Sequence, residues 1–443
     1  MIIFLLTFHL SVATALNIAI IGGGPTGLCS ARHCIARGYN VTIFEQNEDI
    51  GGTWLYTDEV GKDKYGLKIH SAMYKELRAN GPTQTMEYPD LHYPNDTLSY
   101  PPYPDVLNYL LSYADLFQLR KYVKFSHLVV RVHPIDGDKW EVIVKDLPND
   151  SYSTRIFDAI FVCNGHFSEP LIPEIDGVNE FKEKLMHSHD FRSAEVFRDE
   201  DVLIIGAGTS GCDLVIHLSR IAKTVTLSRR HKPKETEEMK SKFQNSLPEG
   251  IIVRDVVKRF TDEGAEFIDG TQMNFSTIIY ATGYKYSFPF LSVDSGIHVD
   301  DNFVQPLYKQ IINIEHPTMA FIGIPKSALN YNMFDMQVRF ALKYLSGEKS
   351  LPTKQEMLLD QQVETEAHWK QGYPKRKTHL LYPMDRKYFD QLSNLTDIEN
   401  VPDILDAIAM DQINDLIERP TEFRKYKFTI IDDKTYTKVR YED

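Results

Sequence analysis

Two glycine-rich segments have the residue types and the spacing that bind a pyrophosphate. The first comprises Gly22, Gly23, Gly24, Pro25, Thr26 and Gly27, and the second comprises Gly206, Gly208, Ser210 and Gly211, with Cys212 and Asp213 directly after it. In the pattern Gly-x-Gly-x-x-Gly, the first glycine permits a tight turn. The second lets the backbone approach a phosphate, and the third lets a helix pack on a strand. Two such segments predict two bound dinucleotides with electron transfer between them.

Each glycine segment needs a strand before it and a helix after it. Asn17–Ile21 and Asp201–Ile205 are apolar runs of the kind that form buried strands, and helical sequence follows each segment. The helix N-terminus then offers free N–H groups and a partial positive charge to the phosphates. A single Gly-x-Gly-x-x-Gly is often a glycine-rich turn, but two copies in the correct context favour nucleotide binding.

The residue at the end of the next strand distinguishes the two sites. Glu45 follows Gly24 by 21 positions, the spacing of a carboxylate that binds a ribose 2′-hydroxyl. Ser228 follows Gly208 by 20 positions and is followed by Arg229 and Arg230. One guanidinium can bind two phosphate oxygens at once through two parallel N–H donors. We therefore expect FAD at the first site and NADPH at the second.

These units predict an α/β fold with two Rossmann-like dinucleotide-binding domains, the second inserted in the first. The first sheet must be completed by later strands, such as the apolar run at 318–324. The predicted boundaries are a signal peptide at 1–15, an FAD-binding domain at 16–165 and 287–443, and an NADP-binding domain at 166–286. Antiparallel strands are expected at 129–144, and a hairpin at 426–441.

Composition excludes several classes of partner. The net charge of −13 argues against nucleic acids and anionic membrane surfaces. Cys29, Cys34, Cys163 and Cys212 are expected to be small core residues, because Cys29 and Cys34 on one helix point in different directions. No metal cluster is evident, so no metal ligands are predicted.

The amino-terminal residues have the features of a secretory signal. Residues 1–15 contain a short apolar run and end in Ala13-Thr14-Ala15, a small-residue cleavage pattern. Asn-x-Ser/Thr sequons lie at Asn40, Asn95, Asn149, Asn274 and Asn394. We expect a soluble, secreted glycoprotein without a membrane anchor. The absence of a basic residue near the start leaves a simple extension of the first strand as the alternative.

Several segments resemble the flavin-containing monooxygenase family. The family's pattern Phe-x-Gly-x-x-x-His-x-x-x-Tyr/Phe-Lys/Arg is matched at Phe181, His187, Phe191 and Arg192, and Glu183 replaces its glycine. Gly51 to Trp54 is similar to the family's Gly-Gly-x-Trp loop, and Ser71 to Asn80 to the segment leading to its active-site asparagine. Ala281 to Tyr284 matches its late Ala-Thr-Gly-Tyr.

The resemblance implies a reaction and a set of site residues. NADPH reduces FAD, oxygen adds at ring carbon C4a as a hydroperoxide, and a soft nitrogen or sulfur nucleophile takes the distal oxygen. Asn80 is implied as the catalytic side chain, whereas an Asn before Gly-Pro is otherwise usually a turn residue. His187 is expected to be structural. Further cofactor contacts are implied at Thr53, Trp54, Ala79 and Gly81.

The function expected is N- or S-oxygenation of a small amine or sulfide with O2, with alkaloid N-oxidation as a candidate because soluble insect family members do this. A Baeyer–Villiger monooxygenase is the first alternative, although it usually has Trp in place of Phe191. A catalytically silent flavoprotein is the second. Oligomeric state is left open, with a homo-oligomer among the alternatives.

Overall fold

The computed structural model describes residues 15–231, 235–327, 329–382 and 385–441. The predicted signal peptide at 1–15 therefore lies almost wholly outside the described residues. The strands are β1 Asn17–Ile21, β2 Asn40–Phe44, β3 Val123–Lys124, β4 His127–Ile135, β5 Lys139–Asp146, β6 Ser151–Phe157, β7 Ala159–Val162, β8 Glu169–Pro170, β9 Lys184–His187, β10 Asp201–Ile205, β11 Thr224–Ser228, β12 Ile252–Arg254, β13 Val257–Phe260, β14 Gly264–Phe267, β15 Gln272–Asn274, β16 Thr277–Tyr280, β17 Tyr284–Lys285, β18 His298–Asp300, β19 Phe303–Gln305, β20 Leu307–Tyr308, β21 Ile312–Asn313, β22 Met319–Phe321, β23 Tyr426–Ile430 and β24 Tyr436–Arg440. The helices are α1 Pro25–Ala36, α2 Tyr103–Leu116, α3 Thr209–Leu218, α4 Glu237–Asn245, α5 Asn330–Leu345, α6 Lys354–Lys370, α7 Asp385–Thr396 and α8 Asp403–Glu418.

The first glycine segment belongs to a seven-stranded sheet, called sheet one. Its order is β20-β21-β22-β7-β1-β2-β3, and β22, β7, β1, β2 and β3 run parallel. Ile18 and Ile20 face one apolar cluster, and Ala19 and Ile21 face another. Strands covered on both faces need continuous apolar sequence, which explains why β1 and β7 lack the alternating pattern of half-exposed strands.

The second glycine segment belongs to a five-stranded parallel sheet, called sheet two. Its order is β12-β11-β10-β16-β9. It too has an apolar cluster on each face, with Ile204 in one and Leu203 in the other. The two glycine segments thus follow the central strands β1 and β10 of two similar sheets.

Sheet two lies within the sequence of sheet one. The chain leaves sheet one after β7, forms sheet two and returns to complete sheet one with β20, β21 and β22. The outgoing and returning segments pair as the antiparallel strands β8 and β17. The predicted α/β fold with one dinucleotide-binding unit inserted in another is confirmed. The boundaries at 165/166 and 286/287 remain a prediction.

Smaller elements surround the two sheets. The antiparallel sheet β4-β5-β6 includes the strands predicted at 129–144, and β23 and β24 form the hairpin predicted near the carboxyl end. Helix α8 and this hairpin pack together through an apolar cluster that includes Ile408 and Phe428. Among the helices that the structure describes, none has the length and apolar character needed to cross a bilayer.

Candidate active site

The glycines of the first segment are required by close packing. Gly22 has a φ of +106°, and a β-carbon there would lie 2.5 Å from the Cys163 carbonyl oxygen. A β-carbon on Gly27 would lie 1.9 Å from the Gly22 carbonyl oxygen. Because backbone atoms cannot move aside as a flexible side chain can, any larger residue would distort the turn between β1 and α1.

The turn Gly52–Trp54 lies directly over this segment. The Gly51 N–H donates to the Gly23 carbonyl, and a β-carbon on Gly24 would lie 3.4 Å from the Cα of Gly52. No side chain caps the start of α1 at Pro25, and this leaves the first-turn N–H groups for a ligand. Thr53 and Trp54 are therefore placed beside the expected pyrophosphate path.

The buried Glu45 side chain ends β2 beside the same turn. Its Oε2 accepts the Gly23 N–H at 2.7 Å, and its Oε1 accepts the Asn47 N–H at 2.8 Å. Burial raises the pKa of this carboxyl above its ordinary value, while the N–H donors act in the opposite direction. An acceptor fixed at this position fits a ribose hydroxyl and disfavours a 2′-phosphate.

The second segment repeats the first with one difference. A β-carbon on Gly211 would lie 1.9 Å from the Gly206 carbonyl oxygen, and Gly206 has a φ of +113°. Gly208, by contrast, has open space within 4 Å of its β-carbon position, and Ser210 is exposed. Cys212 is buried on α3. The open side of Gly208 and the uncapped start of α3 fit a pyrophosphate.

The residues at the end of β11 differ from the simple expectation for a phosphate site. The Ser228 hydroxyl donates to the Asp255 carbonyl at 2.8 Å, so it points into the protein. The Arg229 guanidinium is 8% exposed, pairs with Glu235 at 2.7 Å and stacks 4.2 Å from the Phe243 ring. Both side chains thus have internal partners.

Arg230, the next residue, differs from Arg229 in its surroundings. Its side chain is exposed and makes no ion pair with any residue that the structure describes. The adjacent basic residue was visible in the sequence, but nothing there showed which of the two guanidiniums would be paired internally.

Asn80 is held by residues from the far end of the chain. The Arg424 guanidinium donates to the Asn80 Oδ1 at 2.6 Å and to the Ala79 carbonyl at 3.1 Å. The Gln412 side-chain amide donates to the Asn80 carbonyl at 2.7 Å. Asn80 remains exposed, whereas Ala79 is buried. No sequence signal linked Arg424 or Gln412 to this asparagine.

Arg424 also joins Asn80 to the second glycine unit. Its guanidinium pairs with Asp213, a buried residue of α3 that accepts a hydrogen bond from the Tyr74 hydroxyl. Burial and the neighbouring Asp213 charge raise the pKa of Tyr74 well above its ordinary value, so this hydroxyl remains a donor. Asp213 also lies 3.9 Å from His217 Nε2, and through Arg424 and Tyr74 it connects the start of α3 with the Asn80 segment.

The Phe181–Arg192 segment lies at the edge of sheet two. Phe181 and Phe191 are core residues. The His187 Nδ1 accepts the His189 N–H at 3.0 Å and so caps a short turn, in agreement with the structural role expected for it. Burial lowers the pKa of His187 to about 4. Arg192 reaches back across to the segment between Trp54 and Asn80.

The cysteines are buried and free, as expected. Cys29, His33 and Asp335 lie close enough together to share an ion. The Asp335 carboxylate already contacts His33 Nε2 at 2.6 Å and Arg339 Nε at 2.6 Å, and these contacts explain its burial without a metal.

Comparison with known proteins gives the family. The model of the flavin-binding monooxygenase-like family matches residues 15–235 and 231–412. The chain belongs to this family. It is a flavin-dependent monooxygenase, an oxidoreductase, and the cofactors expected from the two glycine segments, FAD and NADPH, are those of the family.

Relatives of this family member span almost its whole length. Senecionine N-oxygenase from Tyria jacobaeae is 34% identical over 96% of this chain and 92% of its own. Flavin-containing monooxygenase FMO GS-OX4 from Arabidopsis thaliana is 33% identical over 96% of this chain and 94% of its own.

Solved structures agree with the fold. S-allyl-L-cysteine S-oxygenase from Allium sativum has a TM-score of 0.84 and 32% identity, covering 93% of this chain and 95% of its own. Cyclohexanone monooxygenase has a TM-score of 0.60 at 13% identity over 86% of this chain and 98% of its own, a likeness that shows the fold alone.

Proposed function

We propose that this monooxygenase uses NADPH and O2 to oxygenate the nitrogen or sulfur of a small soft nucleophile, with alkaloid N-oxidation as one candidate reaction. The observation that carries the proposal is Asn80, an exposed amide fixed between the two nucleotide units by Arg424. The relatives that act on nitrogen and on sulfur support both substrate classes and do not separate them.

In this proposal, the first glycine segment and Glu45 hold FAD, and the second segment holds NADPH. Bound FAD supplies the oxygen-activating redox chemistry, with NADPH as the reductant. Arg230, which has no ion-pair partner among the described residues, is the guanidinium proposed to meet the 2′-phosphate, and Arg229 is held by Phe243 and Glu235.

Asn80 has the role of orienting the reacting groups. Arg424 occupies the Asn80 Oδ1, and this fixes the amide and leaves its N–H2 group as a donor. A fixed donor next to the cofactors can hold a developing negative charge without reorganising at the moment of reaction.

The test is product formation under labelled oxygen. Purified protein with FAD, NADPH and 18O2 is offered senecionine, methyl phenyl sulfide and cyclohexanone, and product masses are measured. We expect one labelled oxygen in an N-oxide or sulfoxide. Labelled lactone alone would make the protein a Baeyer–Villiger enzyme. Bound flavin with no NADPH oxidation and no oxygen consumption would make it a silent flavoprotein.

The Asn80→Ala variant should consume NADPH and release hydrogen peroxide while making at least tenfold less oxygenated product. Asn179→Ala, which changes an exposed asparagine outside the five sequons, is the matched control and should behave as the unaltered enzyme. Equal product yield from Asn80→Ala and the control would remove Asn80 from the mechanism.

We also propose that the protein is secreted and glycosylated. The apolar segment at 1–15 and the five sequon asparagines support this, and all five asparagines are exposed. Expression in insect cells should place the protein in the medium with residue 16 at its amino terminus, and N-glycosidase should lower its mass. Retention in the cells with an intact Met1 would contradict the proposal.

A further inference from the structure

Arg192 has an unusual set of hydrogen-bond partners for a buried arginine. Arg192 is 8% exposed, and within the part of the chain that the structure describes its side chain donates hydrogen bonds to four main-chain carbonyl oxygens. Two of these are in its own turn, at His189 (2.7 Å) and Phe191 (3.1 Å). The other two are in the segment between Trp54 and Asn80, at Glu59 (3.2 Å) and Ser71 (3.1 Å).

The contact with Ser71 extends to the turn over the first glycine segment. The Ser71 carbonyl accepts from Arg192, and the Ser71 hydroxyl donates to the Thr53 carbonyl at 2.7 Å. Thr53 lies in the turn Gly52–Trp54, whose preceding residue Gly51 bonds to Gly23. One serine thus connects the edge of sheet two with the proposed flavin site.

The same segment is fixed a second time by the Arg192 backbone. The Lys75 N–H donates to the Arg192 carbonyl at 2.9 Å. Tyr74, beside Lys75, packs edge-on against the Phe191 ring at 5.3 Å. Residues 59 to 75 are therefore attached to the Phe181–Arg192 segment at several points.

The chemistry of these contacts favours arginine. A guanidinium has five N–H donors in a planar fork, so it can bridge carbonyls that lie in different directions. Lysine has the same charge but only three donors on one nitrogen. Since the bonded partners are carbonyls and not a carboxylate, the side chain does more to fix geometry than to balance charge.

We propose that Arg192 is a positioning residue that holds the turn Gly52–Trp54 in place through Ser71. Its effect on catalysis, which rests on the proposed function, is to couple NADPH oxidation to substrate oxygenation. Coupled turnover converts NADPH, H⁺, O2 and substrate to NADP⁺, oxygenated product and water. Uncoupled turnover converts NADPH, H⁺ and O2 to NADP⁺ and H2O2, so the peroxide yield measures the loss of coupling.

The first test is amide hydrogen exchange in the Arg192→Lys variant of the FAD-loaded protein. We expect about tenfold faster exchange across residues 59 to 75 and several-fold more peroxide per NADPH. Arg198→Lys is the matched control, because Arg198 is exposed and pairs with Glu195 in the same turn. Exchange in this segment that is equal in Arg192→Lys and Arg198→Lys would overturn the proposal.

Ser71→Ala provides a second test, which also serves if Arg192→Lys does not fold. It keeps the carbonyl that Arg192 binds but removes the hydroxyl bonded to Thr53. Peroxide yield should rise several-fold while amide exchange at Lys75 stays slow. An unchanged peroxide yield would overturn the route through Ser71.

The proposed function and the role of Arg192 can fail separately. If the unaltered protein makes no oxygenated product, the proposed function fails, and the exchange result still decides whether Arg192 fixes residues 59 to 75.

Discussion

The two glycine units share a backbone design and differ in what surrounds it. A β-carbon added at Gly27 would lie 1.9 Å from a carbonyl oxygen, and one added at Gly211 would lie at the same distance from the equivalent oxygen. However, the turn Gly52–Trp54 packs against Gly24, whereas no protein atom lies within 4 Å of the β-carbon position of Gly208. At the end of the second strand, Glu45 presents a carboxylate to its own turn, whereas Ser228 and Arg229 have partners elsewhere.

In both units, the glycine turn that binds any dinucleotide is distinct from the residues that select one dinucleotide over another. The tight glycines make a turn that any dinucleotide can use. On the proposed function, selectivity comes from residues outside the turn, namely Glu45 in one unit and Arg230 in the other. The covered first unit suits a cofactor that stays bound, and the open second unit suits one that exchanges in each cycle.

The largest effects are expected from adding a methyl group at the tight glycines. Gly27→Ala should prevent FAD binding and folding of sheet one, because the new atom would overlap the Gly22 carbonyl. Gly211→Ala should keep FAD but lower NADP⁺ affinity by at least a hundredfold. Flavin absorbance and calorimetric NADP⁺ titration measure the two outcomes.

Gly208→Ala separates packing from ligand contact, because its β-carbon meets nothing in the protein. This variant should fold with normal thermal stability and still lose NADP⁺ affinity. Loss of FAD from Gly211→Ala would show that the two units do not act separately.

A smaller effect is expected at the acid of the first unit. Glu45→Gln keeps the shape but weakens the acceptor for the ribose hydroxyl, and FAD affinity should fall by roughly ten- to thirtyfold, about 1.4 to 2 kcal/mol. Flavin fluorescence titration measures this. Glu183→Gln, an exposed acid at the surface of sheet two, is the control and should not change FAD affinity.

The two arginines of the second unit should differ from each other. Arg230→Gln should raise the KM for NADPH about tenfold and leave the KM for NADH unchanged, because only NADPH has a 2′-phosphate. Arg229→Gln should chiefly lower the melting temperature, since it leaves the buried Glu235 carboxylate without its guanidinium partner. The reverse pattern in KM and melting temperature would assign the phosphate to Arg229.

The smallest effect is expected on the melting temperature at low pH, and it concerns His187 at the edge of sheet two. Burial lowers the pKa of His187 to about 4, below its ordinary value of 6.5. A depressed folded-state pKa contributes stability above pH 6.5, and this contribution is lost as the pH falls from 6.5 through about 4. His187→Asn should reduce the decline in melting temperature over this range. The exposed His92→Asn is the control, and an equal decline in both variants would exclude His187 as a source.

The sequence was sufficient for the parts of the fold that depend on local geometry. Gly22 and Gly206 mark turns that few other residues can form, and the apolar runs of β1 and β10 predict strands buried on both faces. Glu45 followed from counting positions along one strand-helix-strand unit. Within each unit these features lie less than 30 residues apart, so their spacing along the chain fixes their relative position.

The contacts that complete the site could not be predicted in this way. Arg424 and Asn80 are separated by 344 positions, and no periodicity or motif connects them. The internal pairing of Arg229 with Glu235 depends on how the chain folds after β11. The four carbonyl partners of Arg192 are main-chain atoms, so residue types in the sequence do not identify them.

The dependence of Asn80 on Arg424 and Gln412 has a consequence for biosynthesis. A ribosome produces the glycine segments and Asn80 early, and those parts of the sheets can begin to fold while the rest is still being made. The amide of Asn80 gains its fixed orientation only after residue 424 has left the exit tunnel and folded back. If Asn80 has the proposed role, incomplete chains that already bind flavin should reduce oxygen to peroxide without transferring it to substrate, and oxygen transfer should appear only in chains that include residue 424.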